Sequence, residues 1–110
     1  MAPPPRGSPP SPRWVDDRFR LTFARIVTHY FSHNGWLEDG QLLQNADRLA
    51  GIPGVMVHGR LDLVAPLVTP WEMHQVWPDS ELIVIDDAGH SAGDDAMTKA
   101  LLAATDRFAA

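Results

Sequence analysis

VMVHGRLDLVAPLVTPWEMHQVWPDSELIVIDDAGH, residues 55–90, is the stretch on which the fold turns. Its opening, Val55-Met56-Val57-His58, is short, β-branched and bounded by Gly54 and Gly59, as a buried strand would be. Glu81-Leu82-Ile83-Val84-Ile85-Asp86 repeats that character near the end. Between them, Thr69-Pro70-Trp71-Glu72 sets a Thr N-cap, a Pro in the first helical position and a Glu three residues beyond the cap. That combination satisfies the free amides of a helix start, and Trp77-Pro78 stops the helix. A strand, a capped helix and a strand predict a parallel pair, because parallel pairing needs a long crossover where an antiparallel pair needs only a turn. Parallel strands have their carboxyl ends on one edge, where open α/β sheets place their ligands. Asp62 and His90 lie just past those ends.

Upstream, Phe19, Phe23, Ile26, Val27 and Tyr30 recur at three- and four-residue steps behind Asp16 and Asp17, an amphipathic helix with acids at its positive end. Asn34-Gly35 ends it. A second helical pattern runs through Leu42, Leu43, Ala46 and Leu49 until Gly51, Pro53 and Gly54 break it. Downstream, a loop over residues 87–93 leads to a helix with Met97, Leu101, Ala104 and Phe108 on one stripe. The expected fold class is α/β, in the order ααβαβα: two parallel strands with flanking helices and no internal repeat.

Six of the ten prolines fall at positions 3, 4, 5, 9, 10 and 12, so residues 1–13 read as a disordered Pro-rich tail and residues 14–110 as the folded body. Removing the tail takes away Arg6 and Arg13 and no acid, which moves the net charge from -5 to -7 and leaves Lys99 as the single lysine. Such a surface repels phosphate backbones, which argues against nucleic acid as a partner. The chain has no cysteine, so disulfides, thiolate metal sites and a thiol nucleophile are excluded. No uncharged run approaches the roughly 20 apolar residues of a membrane span, and the tail lacks the apolar core of a secretory signal. These features point away from a membrane and toward the cytoplasm.

The ends of two neighbouring strands lie about 4.8 Å apart, so Asp62 and His90 can meet through a hydrogen bond. A carboxylate on one ring nitrogen fixes the tautomer and stabilises the imidazolium, leaving the other nitrogen to deprotonate a hydroxyl. Gly89-His90-Ser91-Ala92-Gly93 also fits the G-x-S-x-G pattern of a nucleophile elbow. That reading is rejected, because no histidine lies beyond Ser91 to act as its base, and a neighbouring catalytic imidazole would crowd the turn. Ser91 reads as a loop residue that helps cap the last helix. His29 and His33 have the spacing of two ligands on one helical face but lack a third, so no metal site is expected. His58, His74 and the four tryptophans read as structural.

Ala24-Arg25-Ile26, His29-Tyr30-Phe31, Ile52-Pro53-Gly54-Val55 and His58-Gly59-Arg60-Leu61-Asp62 occur in that order. Trp71-Glu72, Trp77-Pro78, Glu81-Leu82, Asp87-Ala88-Gly89-His90-Ser91 and Ala104-Thr105-Asp106-Arg107-Phe108 continue the series. Together they resemble the C-terminal part of the proline iminopeptidase (prolyl aminopeptidase) family, serine peptidases of the α/β-hydrolase fold, across residues 24–108. The resemblance implies Asp62 as the triad acid and His90 as the general base. It also implies a serine that attacks the carbonyl of an N-terminal proline, an acyl-enzyme opened by water, and no metal or organic cofactor.

Two departures shape the expectation. Val27 stands where the family often has a Glu that holds the substrate's amino group, and a valine cannot pair with an ammonium. This leaves an ester or amide hydrolase of other specificity as the alternative. The elbow serine, oxyanion loop and cap region are not among these residues, so the chain reads as a C-terminal fragment, nucleophile none, inactive when isolated. A non-catalytic binding module on the same scaffold is the rival. The partners expected of the chain are a peptide or small acyl substrate, with self-association through unpaired strand edges.

Overall fold

The computed structural model describes residues 11–109, which form two compact units, residues 11–41 and residues 42–109. Most of the expected Pro-rich tail lies outside the described residues; Pro12–Val15 form a 3₁₀ turn.

In the first unit, α1 (Asp17–Ser32) starts where Asp16 accepts the amides of Arg18 at 2.9 Å and Phe19 at 3.3 Å. A negative cap on the first-turn amides also complements the helix dipole. Trp14 meets Phe19 and Phe23 edge-on, with centroids 5.2 and 5.0 Å away, and the Arg13 guanidinium covers Trp14 and Phe19. Further along the same stripe Ile26 and Tyr30 stay exposed. The helix ends in a left-handed turn: Asn34, Gly35 and Trp36 have φ of 51°, 59° and 58°. Asn and Gly adopt that region readily, whereas Trp36 does so against its Cβ. His33 stacks on Trp36 at 5.0 Å, and Tyr30 meets it edge-on at 5.1 Å.

The second unit contains the strand–helix–strand. β1 (Gly54–Gly59) pairs in parallel with β2 (Ser80–Ile85), in a register running from Gly54 opposite Ser80 to Gly59 opposite Ile85. Preceding β1, the expected second helix is a single turn, α2 (Gln41–Gln44), followed by a 3₁₀ turn at Ala46–Leu49. The spacing of Leu42, Leu43, Ala46 and Leu49 is helical, but the chain changes pitch at Asn45 and only Ala46 is buried. Four apolar residues near a Gly-Pro-Gly break are too few to propagate a helix.

The crossover is α3 (Val68–Val76), and the last element is α4 (Asp95–Phe108). The expected Thr69 cap is not formed. The helix begins two residues earlier, through Pro66 and Leu67, with Thr69 N–H bonded to Pro66 O and Trp71 N–H to Leu67 O. Pro70 then falls inside the first turn, where its missing N–H costs nothing because first-turn amides have no intrahelical partner. α4 is capped by Asp94, whose side chain accepts Ala96 N–H at 3.1 Å.

The amino-terminal edge of the sheet is tied by side chains. Trp77 Nε1–H donates to Ile52 O at 2.9 Å, Asp79 accepts Gly51 N–H at 2.7 Å, and His74 Nδ1 meets Ser80 Oγ at 2.8 Å. Gly54 is required there, since a Cβ would enter the Trp77 ring. α3 packs on β2 and α4 on both strands, burying Ala88, Met97 and Ala104. Among the described residues no large side chain is fully enclosed, and most residues of both strands are only half-buried. Among the described residues no helix is long and apolar enough to cross a membrane.

Candidate active site at the carboxyl edge

Backbone pairing continues past the strand ends and fixes the two loops beyond them. Arg60 N–H donates to Ile85 O and Leu61 N–H to Ala88 O, each at 2.9 Å. The loops approach so closely at Gly59 that a Cβ would strike the carbonyl oxygens of Ala88 and Gly89. Ala88 itself is fully buried. Small residues at 59 and 88 are therefore what allow residue 62 and residue 90 to reach one place. An Arg60–Asp86 ion pair at 2.7 Å spans the same edge, but with both side chains more than half exposed it adds less than about 1 kcal/mol.

There the His90 and Asp62 side chains meet, with His90 Nδ1 2.9 Å from Asp62 Oδ2. The Asp62 side chain is 5% exposed, whereas that of His90 is 61% exposed. Asp62 Oδ1 accepts the amides of Val64 and Ala65, each at 2.9 Å, in a tight local turn. These contacts pull the Asp62 pKa below the usual carboxylate range. The Ala65 amide contributes most; burial opposes it, and the His90 hydrogen bond, the Val64 amide and the charge of His90 add to the lowering. An ionised carboxylate accepts only, so His90 donates from Nδ1, and in the neutral ring the lone pair then lies on Nε2. The arrangement can orient an imidazole, hold its cation and leave an exposed nitrogen to take a proton.

A second imidazole, one that reads as structural in the sequence, lies against the same turn. His58 Nε2 is 2.7 Å from Ala65 O and 3.6 Å from Asp62 Oδ2. A faint signal is the four-residue separation of His58 and Asp62 across a strand end, which also has many uneventful explanations.

The other candidates lie elsewhere. Ser91 Oγ accepts Gly93 N–H at 3.1 Å, and residues 86–94 separate β2 from α4, so Ser91 does not sit on the sharp strand-to-helix turn that an elbow requires. Nor does it cap α4, because Asp94 takes that place. His29 and His33 have ring centroids 4.8 Å apart, and His33 Nδ1 bonds His29 O at 2.8 Å, closing the end of α1. Among the described residues no three His, Cys, Asp or Glu side chains gather as metal ligands.

No protein-family model matches the chain. Over most of its length, however, it is homologous to curated proteins named proline iminopeptidase. It is 52% identical over 99 residues to the probable proline iminopeptidase of Leptolyngbya boryana, covering 89% of this chain and 31% of that protein. It is 48% identical over 95 residues to that of Xanthomonas citri, covering 86% and 30%. With the Arabidopsis thaliana protein the identity is 40% over 96 residues, covering 86% and 25%. The chain thus spans about 30% of the length of the first two of these relatives. Two parallel strands among four helices are consistent with part of an α/β-hydrolase fold.

Proposed function

We propose that this homologue of proline iminopeptidases carries the acid and base of a serine hydrolase of the prolyl aminopeptidase kind. In this reading His90 Nε2 takes the proton of a serine hydroxyl as that oxygen attacks the carbonyl of an N-terminal proline. Asp62 holds the ring through Nδ1 and stabilises the imidazolium. The same nitrogen then protonates the leaving amine and later activates water against the acyl-enzyme. The observation that carries the reading is the 2.9 Å contact between His90 Nδ1 and a buried, amide-bound Asp62 carboxylate at the carboxyl edge. The names of the relatives supply the reaction class.

The test is a chimera in which this chain replaces the matching segment of the Xanthomonas citri relative. It should hydrolyse a proline arylamide. Asp62→Asn should slow it about 10⁴-fold, and His90→Ala on the order of a million-fold, as removal of a triad base does elsewhere. Full turnover by either variant would remove the assignment. The 110-residue chain alone should neither turn over the arylamide nor be labelled at Ser91 by a serine-reactive phosphonate.

Val27 favours a second reading, an ester or amide hydrolase that does not require a free amine. Its apolar, branched side chain offers no counter-charge to an ammonium. A chimera that cleaves N-blocked substrates as fast as free-amine ones would select it.

A further inference from the structure

His58 has no part in the proton transfers assigned to His90, yet its ring reaches the turn that holds Asp62. A carbonyl oxygen only accepts, so the 2.7 Å contact between His58 Nε2 and Ala65 O requires the proton on Nε2. The amide of the same Ala65 donates to Asp62 Oδ1. Ala65 is therefore held on both sides, its N–H by the carboxylate and its carbonyl by the imidazole. The His58 side chain is 15% exposed, so water competes poorly for that bond. Asp62 Oδ2 faces the same Nε2 at 3.6 Å, too long for a hydrogen bond, and takes its short bond from His90 instead.

We propose that His58 is a positioning residue for the Asp62–His90 pair. Its Nε2–H fixes the Ala65 carbonyl, which keeps the Val64 and Ala65 amides on Oδ1 and leaves Oδ2 aimed at His90 Nδ1. Without that tie the residues 62–65 turn can open, the carboxylate can rotate about its terminal bond, and the His90 tautomer is no longer set by a fixed acceptor. The functional consequence rests on the acid–base reading of Asp62 and His90.

Imidazole ¹⁵N and ¹H NMR of the 110-residue chain in mildly alkaline buffer tests this without any need for turnover. In the unsubstituted chain His58 should be the Nε2–H tautomer, and His90 the Nδ1–H tautomer with a downfield Nδ1–H proton. His58→Phe keeps the ring volume but has no donor, and should cost His90 that downfield resonance and move it toward the Nε2–H tautomer. His58→Gln, whose amide can still donate to Ala65 O, should restore it. The inference is overturned if His58 carries its proton on Nδ1, or if His58→Phe leaves the His90 signals as they were. Should His58→Phe fail to fold, the tautomer of His58 in the unsubstituted chain still decides. Asp62→Asn separates the two ideas: an unchanged His90 tautomer there removes the acid–base pair itself, whatever His58 does.

Discussion

Asp62 illustrates how a residue's function and its stability cost are set by the same contacts. Its folded pKa lies below its unfolded value near 4. The carboxylate therefore contributes stability that is fully present above that unfolded value, and lost as pH falls through the folded one. The acid limb of a plot of urea midpoint against pH should consequently flatten in Asp62→Asn, and an unchanged limb would mean that other carboxylates govern acid unfolding. Gly59 offers a second residue-scale test. Its missing Cβ lets the Ala88 and Gly89 carbonyls approach, so Gly59→Ala must push the two loops apart. A cost of about 1–3 kcal/mol is expected by chemical denaturation, together with loss of the His90 Nδ1–H resonance. Asp62 and His90 were legible in the sequence because an acid and a histidine after parallel strands have few other reasons to share an edge. His58 was not, because a histidine inside a strand looks alike whether its ring meets water, core or a turn.

At the scale of elements, periodicity and end signals predicted existence better than boundaries. α1 begins at the acidic pair and ends at Asn34-Gly35, because a cap and a left-handed turn are local properties of those residues. α3 begins earlier than its Thr-Pro-x-Glu signal because the preceding Pro66-Leu67 already turns the chain into helical geometry. The two cases give opposite predictions for capping variants. Asp94→Ala removes an acceptor from Ala96 N–H and should cost about 1 kcal/mol in urea denaturation. Thr69→Ala removes no cap and should stay within about 0.5 kcal/mol. A Thr69→Ala loss as large as that of Asp94→Ala would show that the sequence signal operates after all. Residues 41–49 fail as a helix for a different reason: their apolar positions are correctly spaced, but only one of them finds a buried place.

For the whole molecule the decisive quantity is how much apolar surface finds cover. Ile26, Tyr30, Phe31, Leu42, Leu63 and Val64 are exposed, and Leu63 is 93% accessible. The described sheet has two strands, each paired on one side only. Uncovered strand edges and apolar faces favour association. Sedimentation velocity should show the weight-average mass of the 110-residue chain rising with concentration. A compact monomer that melts cooperatively across the same range would contradict this. The small buried set also predicts marginal stability, since full burial of a large aliphatic side chain contributes about 1.5–3 kcal/mol and the strands here receive only part of it.

The sequence by itself determined the element order, the parallel pairing and the edge on which Asp62 and His90 emerge. Those come from residue spacing, glycine and proline punctuation and the length of one connection, all properties of neighbouring residues. Only the tertiary structure decided which groups surround the Asp62 carboxylate. The amides of Val64 and Ala65, the His90 ring and the nearby His58 imidazole converge on it through strand register and loop closure. Three of these groups lie within four residues of Asp62 and only His90 comes from 28 residues away, but which amides and which ring nitrogens turn toward the carboxylate depends on three-dimensional geometry that residue spacing does not encode.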